Sequence, residues 1–464
     1  MVRTILAEMS QTVRPAGDGA RPLRLAPFRA LRYNPARVRD LGAVTCPPYD
    51  VIGSDRVSAW EAADPHNVVR LILPRNDDNH DRYAHATRDL RRWLATGLLV
   101  RDPTAQLYVY EHVVGGDTAI GLVGAVSLHD PSERRILPHE DVFPGPVADR
   151  AALISATAAQ LEPIMLTYEG DGPASDIVDA VIRTRPELEA PTPDGALHRM
   201  WPIGDHQALR VVAADLAERQ ALIADGHHRY AAYLELRDRA AAAPSTRPVR
   251  PGANQPDPGG PQRAAGVGPA QPASEYGLAM LVDATRHPLR LGPVHRSVAR
   301  LPWLEALATA RRGFRSVRLL EVTDAGRVLH ALAGVRRSAP GPVFALADGQ
   351  SAALISDPDP EMLRTGMPAG RSELWRSLDA SVAGELVLAQ LWRVNDRDHR
   401  VSYHHQADDA IARAGSTTGT ALLLHPPRHA DVLALAVAGE RMPRKSTSFG
   451  PKPRTGLLMR LLDD

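Results

Sequence analysis

Lysine is almost missing from this chain: 53 arginines stand beside only two lysines, Lys445 and Lys452. Cysteine is scarcer still. The single residue, Cys46, excludes an internal disulfide framework and fits a reducing, cytoplasmic compartment. No apolar run reaches the roughly 20 residues that a membrane span needs. The stretch "MVRTILAEMSQTVRPAGDGARP" (1–22) is broken by charge before a signal-peptide core could form, and reads as a loose N-terminal extension. Excess charge of either sign is also lacking. With 55 basic against 54 acidic residues the formal charge is +1, so no global field draws in nucleic acid or an anionic membrane, and any anion site must be local. Neither Gly-x-Gly-x-x-Gly after a strand nor a Gly-Lys-Ser/Thr phosphate loop occurs, and the common dinucleotide and triphosphate folds lose their support.

What is present is enough apolar sequence, 44% of 464 residues, to bury a sizeable core. "NVVRLILP", "AQLYVYEHVV" and "IGLVGAVSL" are short β-branched or aromatic runs between turn residues, whereas "DRYAHATRDLRRWLATG" has helical spacing and a Gly stop. Further on, "PVFALAD" and "SAALISD" read as a hairpin, "LDASVAGELVLAQLW" as a helix, "TALLLHP" as a strand, and "HADVLALAVAGE" as a helix stopped by Gly439. The mixture predicts an α/β protein of the mixed α+β kind. Residues 241–274 are rich in Pro, Gly and Ala and hold no aromatic, so they read as a disordered insertion. It separates an N-terminal α/β region (23–240) from a C-terminal one (275–464), which are expected to share one cleft.

Chemistry concentrates in three places. In "ALIADGHHRYAAYLELRDRA" an apolar strand runs through Asp225 and Gly226 into a helix. Such a junction aims backbone N–H groups and the positive end of the helix dipole at one spot, and Gly226 lets an anion come close. His227, His228 and Arg229 add donors around it. Asp225 would repel a phosphate there unless it caps the helix, holds a metal or takes a proton from a substrate. In "RRILPHEDVFPGPVADRAAL", His139, Glu140 and Asp141 lie in a Pro- and Gly-punctuated loop, with Asp149 and Arg150 at the start of a helix from Ala151. Glu140 is a candidate base for a substrate hydroxyl. Asp50, in the proline-stiffened "PPYDVI", could line a ligand rim or simply make a turn. His404 and His405 in "VSYHHQADDA" raise a zinc reading, but adjacent histidines lack the usual ligand spacing and no thiolate is available.

The third place is "RMPRKSTSFGPKPRTG" (441–456), where both lysines fall. Pro443, Gly450, Pro451 and Pro453 exclude a regular helix, so it must be a loop. Arginine fills nearly every other basic position, and the two cations differ: lysine is a compact charge with rotatable donors, arginine a larger planar fork. A tight oxyanion pocket admits only the first. Lys445 with Ser446 and Thr447, and Lys452 beyond them, make a phosphate- or carboxylate-binding loop without a glycine frame.

"DGHHR" resembles the motif of the free-serine kinases, in the ParB and sulfiredoxin-like superfamily, where the corresponding stretch carries nucleotide phosphates. The wider chain is similar to the domain-of-unknown-function family 1015, through "APFRALRYNP", "CPPYDVI", "PHED", "ADR", "EPIMLTY", "IADGHHRYAA", "PVHR" (which contributes His295 and Arg296) and "MPRKSTSFGPKPRTGL". Gly450 stands where that family usually has an aromatic. The resemblance implies a ParB/sulfiredoxin-like element within a larger mixed-sheet protein, and a phosphotransferase for a small hydroxylated metabolite, serine or phosphoserine first among them. His227, His228 and Arg229 would hold phosphates, Glu140 or Asp225 would act as base, and Lys445 would neutralise developing charge. Mg²⁺ with ATP, ADP or pyrophosphate would be the expected donor system. The competing expectations are a ParB-like nucleotide-binding regulator and a metal-dependent hydrolase built on the histidines.

Overall fold

The β-branched runs of the chain pair mainly into two large sheets, one in each of two units. The computed structural model describes residues 21–53, 55–76, 81–242, 272–339, 341–395 and 398–463. The expected N-terminal extension up to residue 20, and residues 243–271 of the expected insertion, lie outside the described residues. The first unit takes residues 1–138, 142–289 and 451–464, and the second takes 139–141 and 290–450. Together they make a mixed α/β protein, as the patterning predicts. Among the described residues no helix is long and apolar enough to cross a membrane.

In the first unit the strands run in the order Ile136–Leu137, Ala221–Asp225, Ile164–Tyr168, Tyr276–Asp283, Asp117–Ser127, Leu107–Val114, Leu197–Ile203, Leu188–Pro191, with Leu25–Ala26 also on Asp117–Ser127. Tyr276–Asp283 lies parallel to Ile164–Tyr168 and antiparallel to Asp117–Ser127, so the sheet is mixed. Every residue of Ile164–Tyr168, Tyr276–Asp283 and Ala221–Asp225 is buried, which explains why these strands are continuous apolar runs without alternation. Helices Pro144–Thr157 and His227–Ala242 pack on one another, and Arg82–Ala95 packs on the first of them.

The C-terminal segment completes this unit. Cys46 and Thr455 exchange backbone hydrogen bonds, Leu31 does the same with Met459, and Arg460–Leu461 pairs with Ala159–Gln160. Met459 is fully buried in the cluster that holds Leu31, Cys46 and Trp93. Residue 452 is thereby fixed against the N-terminal third of the chain.

Two expectations are corrected here. "NVVRLILP" is not a strand: Val69–Ile72 forms a helical turn in which the Asn67 side-chain Oδ1 accepts the Val69 N–H. Val68, Val69, Leu71 and Ile72 are wholly buried, and an apolar run enclosed on all sides carries no period to tell strand from helix. The helix expected from Ala151 begins at Pro144, because proline is well suited to the first helical position. Asp149 and Arg150 therefore lie in its second turn.

The second unit is built on an antiparallel sheet in the order Phe314–Leu320, Ala352–Pro358, Val343–Ala347, Thr420–Leu423, His295–Val298, Val401–His404. Val343–Ala347 and Ala352–Pro358 form the expected hairpin. Helices Ala325–Arg336 and Ala407–Ser416 cover a core of Val328, Leu332, Val343, Leu354 and Leu423. The helical turn Asp379–Val382 continues as a π-helical stretch, Ala383–Leu391. His429–Ala438 ends, as expected, at Gly439 in the left-handed region, with φ 78°.

Candidate functional site

The DGHHR segment owes its shape to one residue. Strand Ala221–Asp225 must turn at once into helix His227–Ala242, and Gly226 makes the turn with φ 94°. A β-carbon there would meet Ile164 Cγ2 at 2.8 Å and the Arg229 Nε at 3.1 Å, so both the dihedral and the space require glycine. Asp225 does not cap the helix. Its Oδ2 accepts from Arg229 Nη2 at 2.5 Å, and its Oδ1 lies 2.5 Å from the Lys452 ammonium. Arg229, buried, also donates to the Pro163 carbonyl at 2.7 Å.

Lys452 donates on its other side to Asp50 Oδ2 at 2.8 Å. Burial by itself would lower its pKa, but Asp225 and then Asp50 more than reverse that and hold the ammonium protonated well above its usual range. Arg229 is treated the same way: desolvation opposes its charge, and Asp225, Glu162 and Asp50 overcome it. The four groups form a chain of alternating sign, Arg229, Asp225, Lys452, Asp50, with the more exposed carboxylate at its end. A single compact ammonium thus bridges two carboxylates, at 2.5 and 2.8 Å.

Tyr49 links this chain to open space. Its ring lies under the guanidinium of Arg150 at 4.4 Å and more loosely under that of Arg229 at 5.9 Å, and burial pushes its hydroxyl pKa up to about 12. Its backbone N–H is held by the buried Glu162, which also accepts the Thr455 hydroxyl at 3.2 Å. On the far side of Tyr49 lies a cavity of about 700 Å³ bordered by Ser58, Arg75, Arg82, Asp149 and Arg150. Asp149 accepts from Tyr83 and Arg82 as well as from Arg150; burial would raise its pKa, and Arg150 above all pulls it below the usual carboxylate range. His228 stacks on Phe143 with ring centroids 5.9 Å apart, and His227 is buried at the helix start.

The other predicted residues meet in the second unit. Thr447 donates its hydroxyl to Glu140 at 2.9 Å, and the His139 Nε2, 2.9 Å from the same oxygen, is left as its donor. The His139 ring meets Phe449 edge-on at 5.7 Å, and its carbonyl accepts the Met442 N–H. The HED and KST loops therefore find each other. Ser446 is buried and donates to the Pro443 carbonyl. Lys445 is exposed, with φ 51°, and makes no ion pair among the described residues. Part of the expected loop is strand, since Ser448–Gly450 pairs with Arg290–Gly292. His295 and Arg296 are buried in the sheet, the former accepting the Leu424 N–H at 3.1 Å, and His404 bonds to the Ser297 hydroxyl at 2.8 Å.

Among the described residues no three His, Cys, Asp or Glu side chains are grouped to hold a metal ion. Of the candidate site carboxylates, Asp50 and Asp225 converge, and both already hold the ammonium of Lys452. These residues do not fit a dedicated Mg²⁺ cage. Reading the sequence alone offered Tyr49 with Asp50 as a ligand rim but not as a stacking platform, and it did not single out Glu162 or Arg82; Glu162 lies within the family-like segment "EPIMLTY", the one signal that could have marked it.

The family profile described as "Protein of unknown function (DUF1015)" matches residues 25–381. No curated protein matches the chain. Among solved structures, SbnI of Staphylococcus aureus with a C-terminal truncation is similar at 12% identity and TM-score 0.34, covering 73% of this chain and 87% of that one. A free serine kinase in complex with AMP is similar at 13% identity and TM-score 0.30, over 68% of this chain and 84% of that one. A conserved hypothetical protein of Pyrococcus furiosus shows 14% identity and TM-score 0.31, over 71% and 93%.

Proposed function

The chain belongs to the DUF1015 family, and from that premise we propose that it is a phosphotransferase acting on a small hydroxylated metabolite. The observation that carries the reading is the Lys452 ammonium, held between Asp50 and Asp225 at the start of the glycine-turned helix His227–Ala242. A compact cation beside a helix N-terminus is the equipment phosphoryl transfer needs, since positioning and charge stabilisation dominate that chemistry. Serine or phosphoserine is the leading substrate through the DGHHR resemblance, and a nucleotide or pyrophosphate is the donor.

In this reading the turn at Gly226, with His227 and His228, receives the donor's phosphates. Lys452, rather than the exposed Lys445, neutralises charge on the transferred group. Arg229 is committed to Asp225 and the Pro163 carbonyl, so it acts by holding Asp225, which in turn holds Lys452. Asp50 is the more solvent-exposed of the two carboxylates that hold Lys452 and is better placed to take the substrate's proton. The hydroxyl oxygen attacks the terminal phosphorus as its proton passes to Asp50; the bond from phosphorus to the bridging oxygen breaks, and the shortened donor leaves with that electron pair. Any Mg²⁺ enters with the donor's own phosphates.

Calorimetric titration with ATP, ADP, CTP and pyrophosphate, with and without Mg²⁺, followed by serine phosphorylation assays, tests this. Transfer that falls at least 100-fold in Lys452→Arg and persists in Lys445→Arg supports the proposal. Tight CTP binding without turnover points to the regulator instead, and a transition metal retained through purification points to the hydrolase.

A further inference from the structure

The second unit holds a cavity of about 490 Å³ that the reading above does not use. Three arginines from two segments border it. Arg336, at the end of helix Ala325–Arg336, donates to the Gly341 carbonyl at 3.1 Å; Arg428 forks onto Asp431 at 2.7 and 2.8 Å; and the exposed Arg337 makes no ion pair among the described residues. Facing them is Asp379, the first residue of the helical segment that continues into the π-helical stretch. π-Helical turns recur at functional sites.

Asp379 is under-satisfied. Its Oδ1 is closed off from solvent without a hydrogen bond among the described residues, and its Oδ2 lies 3.7 Å from Arg336 Nε, too far for one. Burial, with Asp431 adding to it and Arg336 opposing, pushes its pKa up to about 6. A buried carboxylate lacking donors is costly unless something supplies them. Leu378, Leu424 and Met442 add apolar lining to the cavity. An unsatisfied carboxylate oxygen, the exposed Arg337 and the neighbouring Arg336 and Arg428 border one cavity and match a ligand that carries both charges.

We infer that this cavity binds a small zwitterionic metabolite, with its ammonium against Asp379 and its phosphate or carboxylate against Arg336, Arg337 and Arg428. The inference does not rest on the phosphotransferase reading, because every residue involved belongs to the second unit and none has a role in that chemistry.

Phosphoethanolamine and glycerol 3-phosphate share a phosphate and differ in the ammonium, so they separate the two halves of the site. With the full chain, hydrogen exchange should slow in segments 336–339, 377–380 and 424–431 on adding phosphoethanolamine, at a concentration at least tenfold below that needed for glycerol 3-phosphate or inorganic phosphate. Asp379→Asn should erase that preference, and Arg337→Ala, at an exposed position that folding does not need, should weaken both organic phosphates about tenfold. Serine phosphorylation should survive in both variants. Equal affinity for the two probes, protection confined to residues 49–58 and 225–229, or unchanged binding in Arg337→Ala would each overturn the inference.

Discussion

Each unit buries a carboxylate close to arginine, and the two are solved in opposite ways. Asp225 in the first unit has a cation on each oxygen, Arg229 and Lys452, and the arrangement is locked from sequence positions far apart. Asp379 in the second has one arginine beyond hydrogen-bonding range and an oxygen with no donor among the described residues. The first is a closed electrostatic chain whose only exposed end is Asp50; the second is an open one beside a cavity. A closed chain holds its charges in fixed geometry, whereas an open one leaves room for a ligand's own charge.

The sharpest way to break this contrast is to open the closed chain. Lys452→Met should destabilise the protein by about 1–3 kcal/mol, less than the ~3–5 kcal/mol for stranding a fully buried charge, because Asp225 keeps Arg229 and Asp50 is exposed to solvent. Denaturant unfolding reads this directly. Gly226→Ala should cost roughly 1–3 kcal/mol, from the positive φ and the contact with Ile164, and should weaken ADP binding in calorimetry.

Closing the open chain should have the reverse sign. The folded-state pKa of Asp379 is raised to about 6 from 3.8, so the native state favours the protonated acid. Its contribution is fully present below the unfolded value and is lost as pH rises through about 6. Asp379→Asn should therefore match the parent near pH 3.5 and exceed it by about 1–2 kcal/mol at pH 8, a discounted share of the ~1.4 kcal/mol per pKa unit. Thermal melts across that range check it. The smallest change is Lys445→Ala, expected to stay within about 0.5 kcal/mol as an exposed substitution and to leave ADP affinity unaltered.

Elements whose pattern is local could be read directly: the hairpin Val343–Ala347 and Ala352–Pro358, the helix Arg82–Ala95, and the strand–turn–helix around Gly226. Val69–Ile72 could not, because burial on every side removes the period. Pairings between distant segments left no trace either. Nothing local announces that Tyr276–Asp283 inserts between Asp117–Ser127 and Ile164–Tyr168, or that the last residues return to pair with Leu31 and Cys46. The site was half legible. Rarity marked the lysines and Gly226 marked the turn into helix His227–Ala242, but Lys452 meets Asp50 across 402 positions of sequence, and no spacing rule connects them. Adjacent serine and threonine drew attention to Lys445, and their hydroxyls serve Pro443 and Glu140.

The most direct test of the central claim is phosphorus NMR of the chain incubated with ATP, Mg²⁺ and serine, beside the Lys452→Arg variant. The account predicts a growing phosphomonoester resonance with matching ADP in the parent chain, reduced at least 100-fold in the variant. An equal rate in Lys452→Arg, or no transfer from any nucleotide or pyrophosphate donor, would contradict it.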